Sequence, residues 1–131
     1  AWQTAKDMEG TVATFFQDYD VLITPTTAYP APERGYRYLE DKYKEQMSDM
    51  SSLSKEERVE LIYQQWLPAW VKTPYTQMGN LTGTPSLSLP LHVTNDGLPL
   101  GVLFNAPWGS DQTLIAIGKL FEEEGHLHLL K

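Results

Sequence analysis

The sequence predicts an α/β fold: a short sheet of about three strands, with a hairpin at about residues 86–104, flanked by three or four helices. Three observations carry that expectation. Apolar residues recur at three- and four-residue steps over residues 2–18, the period of one helix face. Val21, Leu22 and Ile23 are consecutive and apolar, as in a strand covered on both faces. Ser86-Leu87-Ser88-Leu89 alternates with period two, and Asn95-Asp96-Gly97 supplies the turn that brings the chain back.

Each element follows from its local pattern. From Trp2 to Asp18, the residues Ala5, Met8, Val12, Phe15, Phe16 and Tyr19 fall on one helical face, with Gly10 weakening the middle. The strand after Asp20 should stop at Pro25, which has no N–H for a ladder. Residues 25–37 read as a loop, punctuated by Pro25, Pro30, Pro32 and Gly35. A weak helix is expected from about Tyr38 to Met47. Ser54-Lys55-Glu56-Glu57 is a capping box, and the helix behind it should reach about Leu67 before Pro68 and Pro74 interrupt it. Its apolar stripe is Val59, Ile62, Tyr63 and Trp66. A short helix is expected from Thr73 to Thr82, ended by Gly83. Pro90 marks the following strand as an edge strand or a bulged one. Leu100 to Phe104 forms the second arm. Ser110 or Asp111 caps a last helix, with Leu114, Ile115, Ile117, Leu120 and Phe121 as its buried face and Gly125 as its close.

The chain has 131 residues, the size of one domain. Its net charge of −7 repels phosphate backbones and anionic lipid, so neither nucleic acid nor membrane is an expected partner. No apolar run approaches the roughly 20 residues that cross a bilayer. With no cysteine, disulfides, cysteine–zinc sites and thiol catalysis are excluded within these residues, which suits a cytoplasmic setting. Nothing asks for a cofactor or metal. Three strands make a small sheet for so many apolar residues. The expectation is a piece of something larger, prone to self-association through its unpaired flank.

The residues that could suggest chemistry have structural explanations. Ser51, Ser52 and Lys55 lie just before and inside a capped helix start, with no glycines to expose a nucleophile or form an oxyanion site. His126 and His128 stand beside Glu122, Glu123 and Glu124 without a third ligand at a defined spacing, and read as a solvated helix end and tail. His92 stands alone in a strand. Gly79 and Gly83 have a membrane-dimer spacing but lie in a short polar helix. Glu9, Asp18, Asp20, Asp96 and Asp111 read as surface or cap carboxylates, since nothing in their spacing pairs two in a pocket.

Three stretches carry a resemblance. The first is Tyr19-Asp20-Val21-Leu22-Ile23-Thr24-Pro25-Thr26-Thr27, followed by Pro30-Ala31-Pro32. The second is Thr73-Pro74-Tyr75, then the run from Asn80-Leu81-Thr82-Gly83-Thr84-Pro85 to Pro90. The third is Asp96-Gly97-Leu98-Pro99-Leu100-Gly101-Val102-Leu103-Phe104, followed by Asp111 and the helix of Leu114. In order and spacing they resemble the carboxy-terminal third of the amidase-signature family, which includes bacterial amidases, cyclic-oligomer and fatty-acid amide hydrolases, and the amidase subunit of glutamyl-tRNA amidotransferase. Residues 33–72 fall outside the match and correspond to a variable helical insertion.

The resemblance implies that these strands are one flank of a larger mixed sheet, making the chain a short mixed sheet in its own right. It implies amide hydrolysis through an acyl-enzyme, with a nucleophilic serine, a second serine on a cis peptide and a lysine. Those residues belong to a segment upstream of this one, so no catalytic residue carries over and the chain is expected to be inactive alone. The expected substrate of the parent is a small-molecule amide. Five positions correspond to the substrate side: Thr26, Thr27, Thr73, Tyr75 and Asn80. Each also has a structural alternative, as a loop or turn brace. The amidotransferase members carry an aspartate near the position of Thr73, so threonine there favours a less polar amide. Trp66, Trp70 and Trp108 are either flank packing or the lining of an apolar acyl site. The alternatives to a hydrolase are a noncatalytic binding or scaffold module and the amidase subunit of a glutamyl-tRNA amidotransferase.

Overall fold

The Asn95-Asp96-Gly97 turn folds through a left-handed glycine: Gly97 has φ +81°, its N–H donates to Thr94 C=O at 2.9 Å, and the Thr94 N–H donates to Leu98 C=O at 2.9 Å. Around that hairpin, the computed structural model describes residues 2–37 and 39–129. Among the described residues the order is α1 (Trp2–Asp18), β1 (Leu22–Pro25), α2 (Asp41–Ser48), α3 (Lys55–Lys72), α4 (Gln77–Thr82), β2 (Ser86–Val93), β3 (Pro99–Asn105) and α5 (Asp111–Glu123). That is five helices rather than three or four. The expected start of the second helix, Tyr38, lies outside the described residues.

The sheet has the order β1-β3-β2 and both pairings are antiparallel, so within the described residues it is not mixed. The short turn forces β2 and β3 to run opposite ways, and β1 takes the other side of β3. Pro90 sits where the register slips between Leu89 and His92, so β2 is both an edge strand and a bulged one.

The register sorts the sheet into two faces. Ile23, Phe104 and Leu87 are cross-strand partners, as are Pro25, Val102 and Leu89. Phe104, Leu89, Leu87 and Val102 pack with Leu114, Ile117 and Phe121 of α5, together with Ala106. Gly118 lets α5 approach β2: a Cβ there would lie 3.3 Å from Leu87 Cδ2. Ile115 and Leu120, expected in this core, are 48% and 57% exposed. At about 100° per residue they fall on the flanks of the arc centred on Leu114, Ile117, Gly118 and Phe121, and one helix on a three-stranded sheet covers only that arc. The helix closes in a Schellman motif: Gly125 has φ +72°, its N–H donates to Glu122 C=O at 3.0 Å, and the His126 N–H donates to Phe121 C=O at 2.9 Å. The tail beyond is docked rather than solvated throughout. Leu127 packs on the core and the His128 N–H donates to Pro90 C=O at 2.8 Å.

The period of α1 is expressed as expected, with Ala5, Met8, Val12, Phe15 and Phe16 partly buried. No residue of α1 is fully buried, and Tyr19 is 58% exposed. In α3 the capping box is formed: the Glu57 N–H donates to Ser54 Oγ at 3.2 Å and the Ser54 N–H to Glu57 Oε2 at 2.8 Å. These backbone and hydroxyl hydrogen bonds hold the Glu57 carboxyl below its usual range. One expectation for α3 is corrected. The helix does not stop before Pro68 but continues to Lys72. Pro68 removes one helical hydrogen bond without ending the helix, whose last residue is tied to the loop after β1 by the Ala28 N–H donating to Lys72 C=O at 2.8 Å. The stop comes at Thr73, which leaves the helical region (φ −122°, ψ 52°) just ahead of Pro74, where a helical conformation is disfavoured. The stripe also faces outward. Val59, Ile62, Tyr63, Trp66 and Trp70 are all exposed, whereas the one buried residue of α3 is Leu61 on the opposite side.

Candidate functional site

The sheet face away from α5 is polar because Ser86 and Ser88 alternate with the core leucines. Pairing of β1 extends past Pro25, with the Thr26 N–H donating to Gly101 C=O at 2.9 Å. The hydroxyls of Thr26 and Ser88 meet at 2.6 Å across the central strand, directly over Gly101. A Cβ on Gly101 would lie 2.6 Å from Thr26 Oγ1 and 2.7 Å from Ser88 Oγ. Asn105, at 1% exposure, is the hub of the next layer. Ser86 Oγ donates to its Oδ1 at 2.8 Å, and its Nδ2 donates to Leu22 C=O at 3.4 Å. Thr24 Oγ1 is buried on this face with no partner among the described residues.

Between this face and α4 lies a polar pocket of about 300 Å³, lined by Thr76, Gly79 and Asn80 on one side and Thr84, Ser86 and Leu103 on the other. Gly79 sets its width, since a Cβ there would lie 3.0 Å from Ser86 Oγ and 3.3 Å from Thr84 C=O. Gly83 in the left-handed region ends α4, and Trp108 Nε1 donates to the Thr82 C=O at 2.8 Å.

A second concavity of about 450 Å³ separates the loop after β1 from the end of α3. Tyr29, Pro30, Pro32 and Tyr36 form one wall. Leu67, Pro68, Val71 and Lys72 form the other. The Ala28–Lys72 backbone hydrogen bond ties the two walls together, and Thr27 Oγ1 donates to Tyr29 C=O at 2.9 Å to shape the loop.

The five residues expected on the substrate side do not converge on one cavity. Asn80 lines the polar pocket, and its exposed amide makes no side-chain hydrogen bond with a described residue. It is thus open to donate and accept. Thr26 is engaged with Ser88, and Thr27 braces the loop. Thr73 Oγ1 donates to Ala69 C=O at 2.9 Å at the end of α3. Tyr75 is 39% exposed between α3 and α4. Trp66, Trp70 and Trp108 line neither concavity. Sequence reasoning missed Thr76, Thr84 and Ser86 in the polar pocket. The signal for Ser86 was the polar half of the Ser-Leu-Ser-Leu alternation. The groove residues gave no signal, because their meeting depends on α3 continuing past Pro68.

The remaining polar residues have local roles. The Ser51 N–H donates to Asp49 Oδ1 at 2.9 Å, and hydrogen bonds from Ser51 hold the Asp49 carboxyl below its usual range. His126 lies edge-on to Phe121 with ring centroids 6.2 Å apart. Among the described residues there is no group of three or more metal-ligating side chains. Nor is any helix among them long and apolar enough to cross a membrane.

Comparison with known proteins bears on the whole architecture. The Amidase family model matches residues 1–115. A lipoamidase of Enterococcus faecalis is 46% identical over 108 residues, covering 82% of this chain and 15% of that protein. A glutamyl-tRNA(Gln) amidotransferase subunit of Thermus thermophilus is 32% identical over 108 residues, covering 82% of this chain and 17% of that protein. Among solved structures, 6-aminohexanoate cyclic dimer hydrolase in complex with substrate superposes with a TM-score of 0.61 at 25% identity, over 95% of this chain and 23% of that one. The chain therefore spans less than a fifth of the length of these two curated relatives. Its hairpin, its closing helix and the three motif stretches fall together in one family, and on these grounds the chain belongs to the amidase family.

Proposed function

We propose that this chain is the carboxy-terminal part of an enzyme that hydrolyses a carbon–nitrogen amide bond through an acyl-enzyme. It contributes one flank of the sheet and part of the substrate wall, while the serine–lysine chemistry is supplied by residues outside it. The observation that carries this reading is the 46% identity to a lipoamidase over a segment that is only 15% of that protein. In this reading Asn80 and the polar pocket meet the substrate's amide end, Tyr75 lies beside them, and Thr26, Thr27 and Thr73 hold the loop and helix ends that frame them. Residues 33–72 act as a variable insertion that carries one groove wall.

The test is a chimera in which the matched segment of the E. faecalis lipoamidase is replaced by this chain's residues. A shared role predicts amidase activity within about 100-fold of the parent, the loss that a misplacement of order 1 Å brings. A folded chimera with no activity would sink the reading. The amidotransferase alternative draws on the 32% identity to the T. thermophilus protein. It is disfavoured because Thr73 offers no carboxylate and its hydroxyl is already given to Ala69.

The outer edge of β1 and the outward stripe of α3 are read as surfaces that the rest of the fold covers. Ile23 on that edge is 59% exposed, and Trp66 on the stripe 52%. In the isolated chain they are expected to drive self-association. Sedimentation velocity should show the mean mass rising with concentration; a monomer of 14.9 kDa at every concentration would refute it.

A further inference from the structure

The polar pocket between α4 and the sheet carries no charged residue in its lining, and the protons of its hydroxyls can be placed one by one. A carbonyl oxygen only accepts, so any hydroxyl bonded to one must be the donor. Thr76 Oγ1 donates to Thr73 C=O at 3.0 Å, and Thr82 Oγ1 donates to Met78 C=O at 2.8 Å. Thr82 then has no proton left for its 3.0 Å hydrogen bond with Thr84 Oγ1, which makes Thr84 the donor of that pair. Asn105 turns its Nδ2 toward Leu22 C=O, so its Oδ1 is left to accept from Ser86 Oγ at 2.8 Å. Thr76, Thr84 and Ser86 have each committed their one hydroxyl proton within the protein and offer the pocket only lone pairs.

The wall opposite is kept open by Gly79. A Cβ there would lie 3.0 Å from Ser86 Oγ and 3.3 Å from Thr84 C=O, so both oxygens face the space that the glycine leaves. Asn80 adds an amide that can turn its oxygen inward. A cavity of about 300 Å³ lined by acceptors, in a chain of net charge −7, is complementary to a small cation that carries N–H donors. A carboxylate of the same size would meet mostly lone pairs.

We propose that this pocket binds a small primary ammonium ion, held by the lone pairs of Thr76, Thr84 and Ser86 and by the Asn80 amide oxygen. The meaning of the site rests on the amide-hydrolase reading, in which this pocket meets the amide end of the substrate. A free ammonium ion seated there makes the parent enzyme subject to inhibition by small amines.

The probe is methylammonium, titrated into the dilute ¹⁵N-labelled 131-residue chain and followed by NMR, with tetramethylammonium, which has no N–H, keeping the ionic strength constant. Saturable shifts are expected at the amides of Gly79, Asn80, Thr84 and Ser86. Thr84→Val is expected to weaken binding about tenfold, the effect of one hydrogen bond to a charged group. Thr82 keeps its Met78 acceptor in that variant, so the fold should persist, which urea unfolding checks. Asn80→Asp, at an exposed position, is expected to tighten binding about threefold, as an added surface charge pair does.

The absence of saturable shifts would overturn the proposal. So would potassium, of similar size but without N–H groups, binding as tightly as methylammonium, or acetate doing so. A folded Thr84→Val chain that binds like the parent, or an Asn80→Asp chain that binds more weakly, would do the same. The lipoamidase chimera separates the two readings. An active chimera alongside a chain that does not bind methylammonium removes the ammonium site alone. Binding by the chain alongside an inactive chimera keeps the site and removes the hydrolase.

Discussion

Replacing Gly101 by alanine is expected to destabilise the chain by about 1–3 kcal/mol, through overpacking and the loss of a hydroxyl bridge. The added methyl would meet Thr26 Oγ1 at 2.6 Å, Ser88 Oγ at 2.7 Å and Thr26 Cβ at 3.1 Å. Turning the Thr26 hydroxyl aside relieves the first contact but leaves the Cβ contact. The strands must then separate or the bridge must break. Either outcome disturbs the central strand, which carries Phe104 on one face and Asn105 on the other. Urea unfolding in dilute solution should show the lower midpoint. The control is Gly10→Ala in α1, where a Cβ has nothing within 4 Å, so the change should stabilise by about 0.5–1 kcal/mol. The Thr26→Ala, Gly101→Ala double variant should recover part of the loss, because one of the two colliding oxygens is gone. A Gly101→Ala chain that unfolds at the parent's midpoint would remove the close approach as a structural requirement.

Gly101 also illustrates what the sequence could and could not disclose. As one residue of a Gly-Leu-Pro-Leu-Gly run it fits a motif, but its reason for being glycine lies in two other strands. Local signals behaved differently. The capping box at Ser54, the helix end at Gly83 and the turn at Gly97 each depend on a few neighbouring residues, and each formed as read. The helical period of α1 also named the residues that are partly buried. Where burial depends on what covers a face, periodicity was insufficient. The stripe of α3 has the spacing of a core-facing helix, yet its residues are exposed in the described structure. The same limit applied to the cavities. Asn80 was legible from its motif, whereas the groove depends on α3 continuing past Pro68 and on the loop at Ala28 meeting its end at Lys72, two segments far apart in the sequence.

The largest functional effect expected is complete: the purified 131-residue chain should hydrolyse no amide above background. Acyl transfer needs a nucleophile hydrogen-bonded to a base and donors aimed at the developing oxyanion. The serines with assigned hydrogen bonds are otherwise engaged. Ser54 accepts from the Glu57 amide, Ser86 donates to Asn105, Ser88 is hydrogen-bonded to the Thr26 hydroxyl, Ser48 donates to the Glu45 carbonyl, and Ser51 is hydrogen-bonded to the Asp49 carboxyl, which is held below its usual range and so stays ionised. None of these partners takes up a proton at neutral pH. In a serine hydrolase, losing the nucleophile or its base lowers turnover by about 10⁶, which places the expected rate below detection with an aryl amide. The measurement is release of nitroaniline from an acyl p-nitroanilide, run beside labelling with a fluorophosphonate that reports any activated serine. Turnover that persists through repurification and disappears when a labelled serine of this chain is changed to alanine would sink the idea. Background turnover, set against an active lipoamidase chimera, would assign the bond-breaking groups to the lipoamidase's own residues.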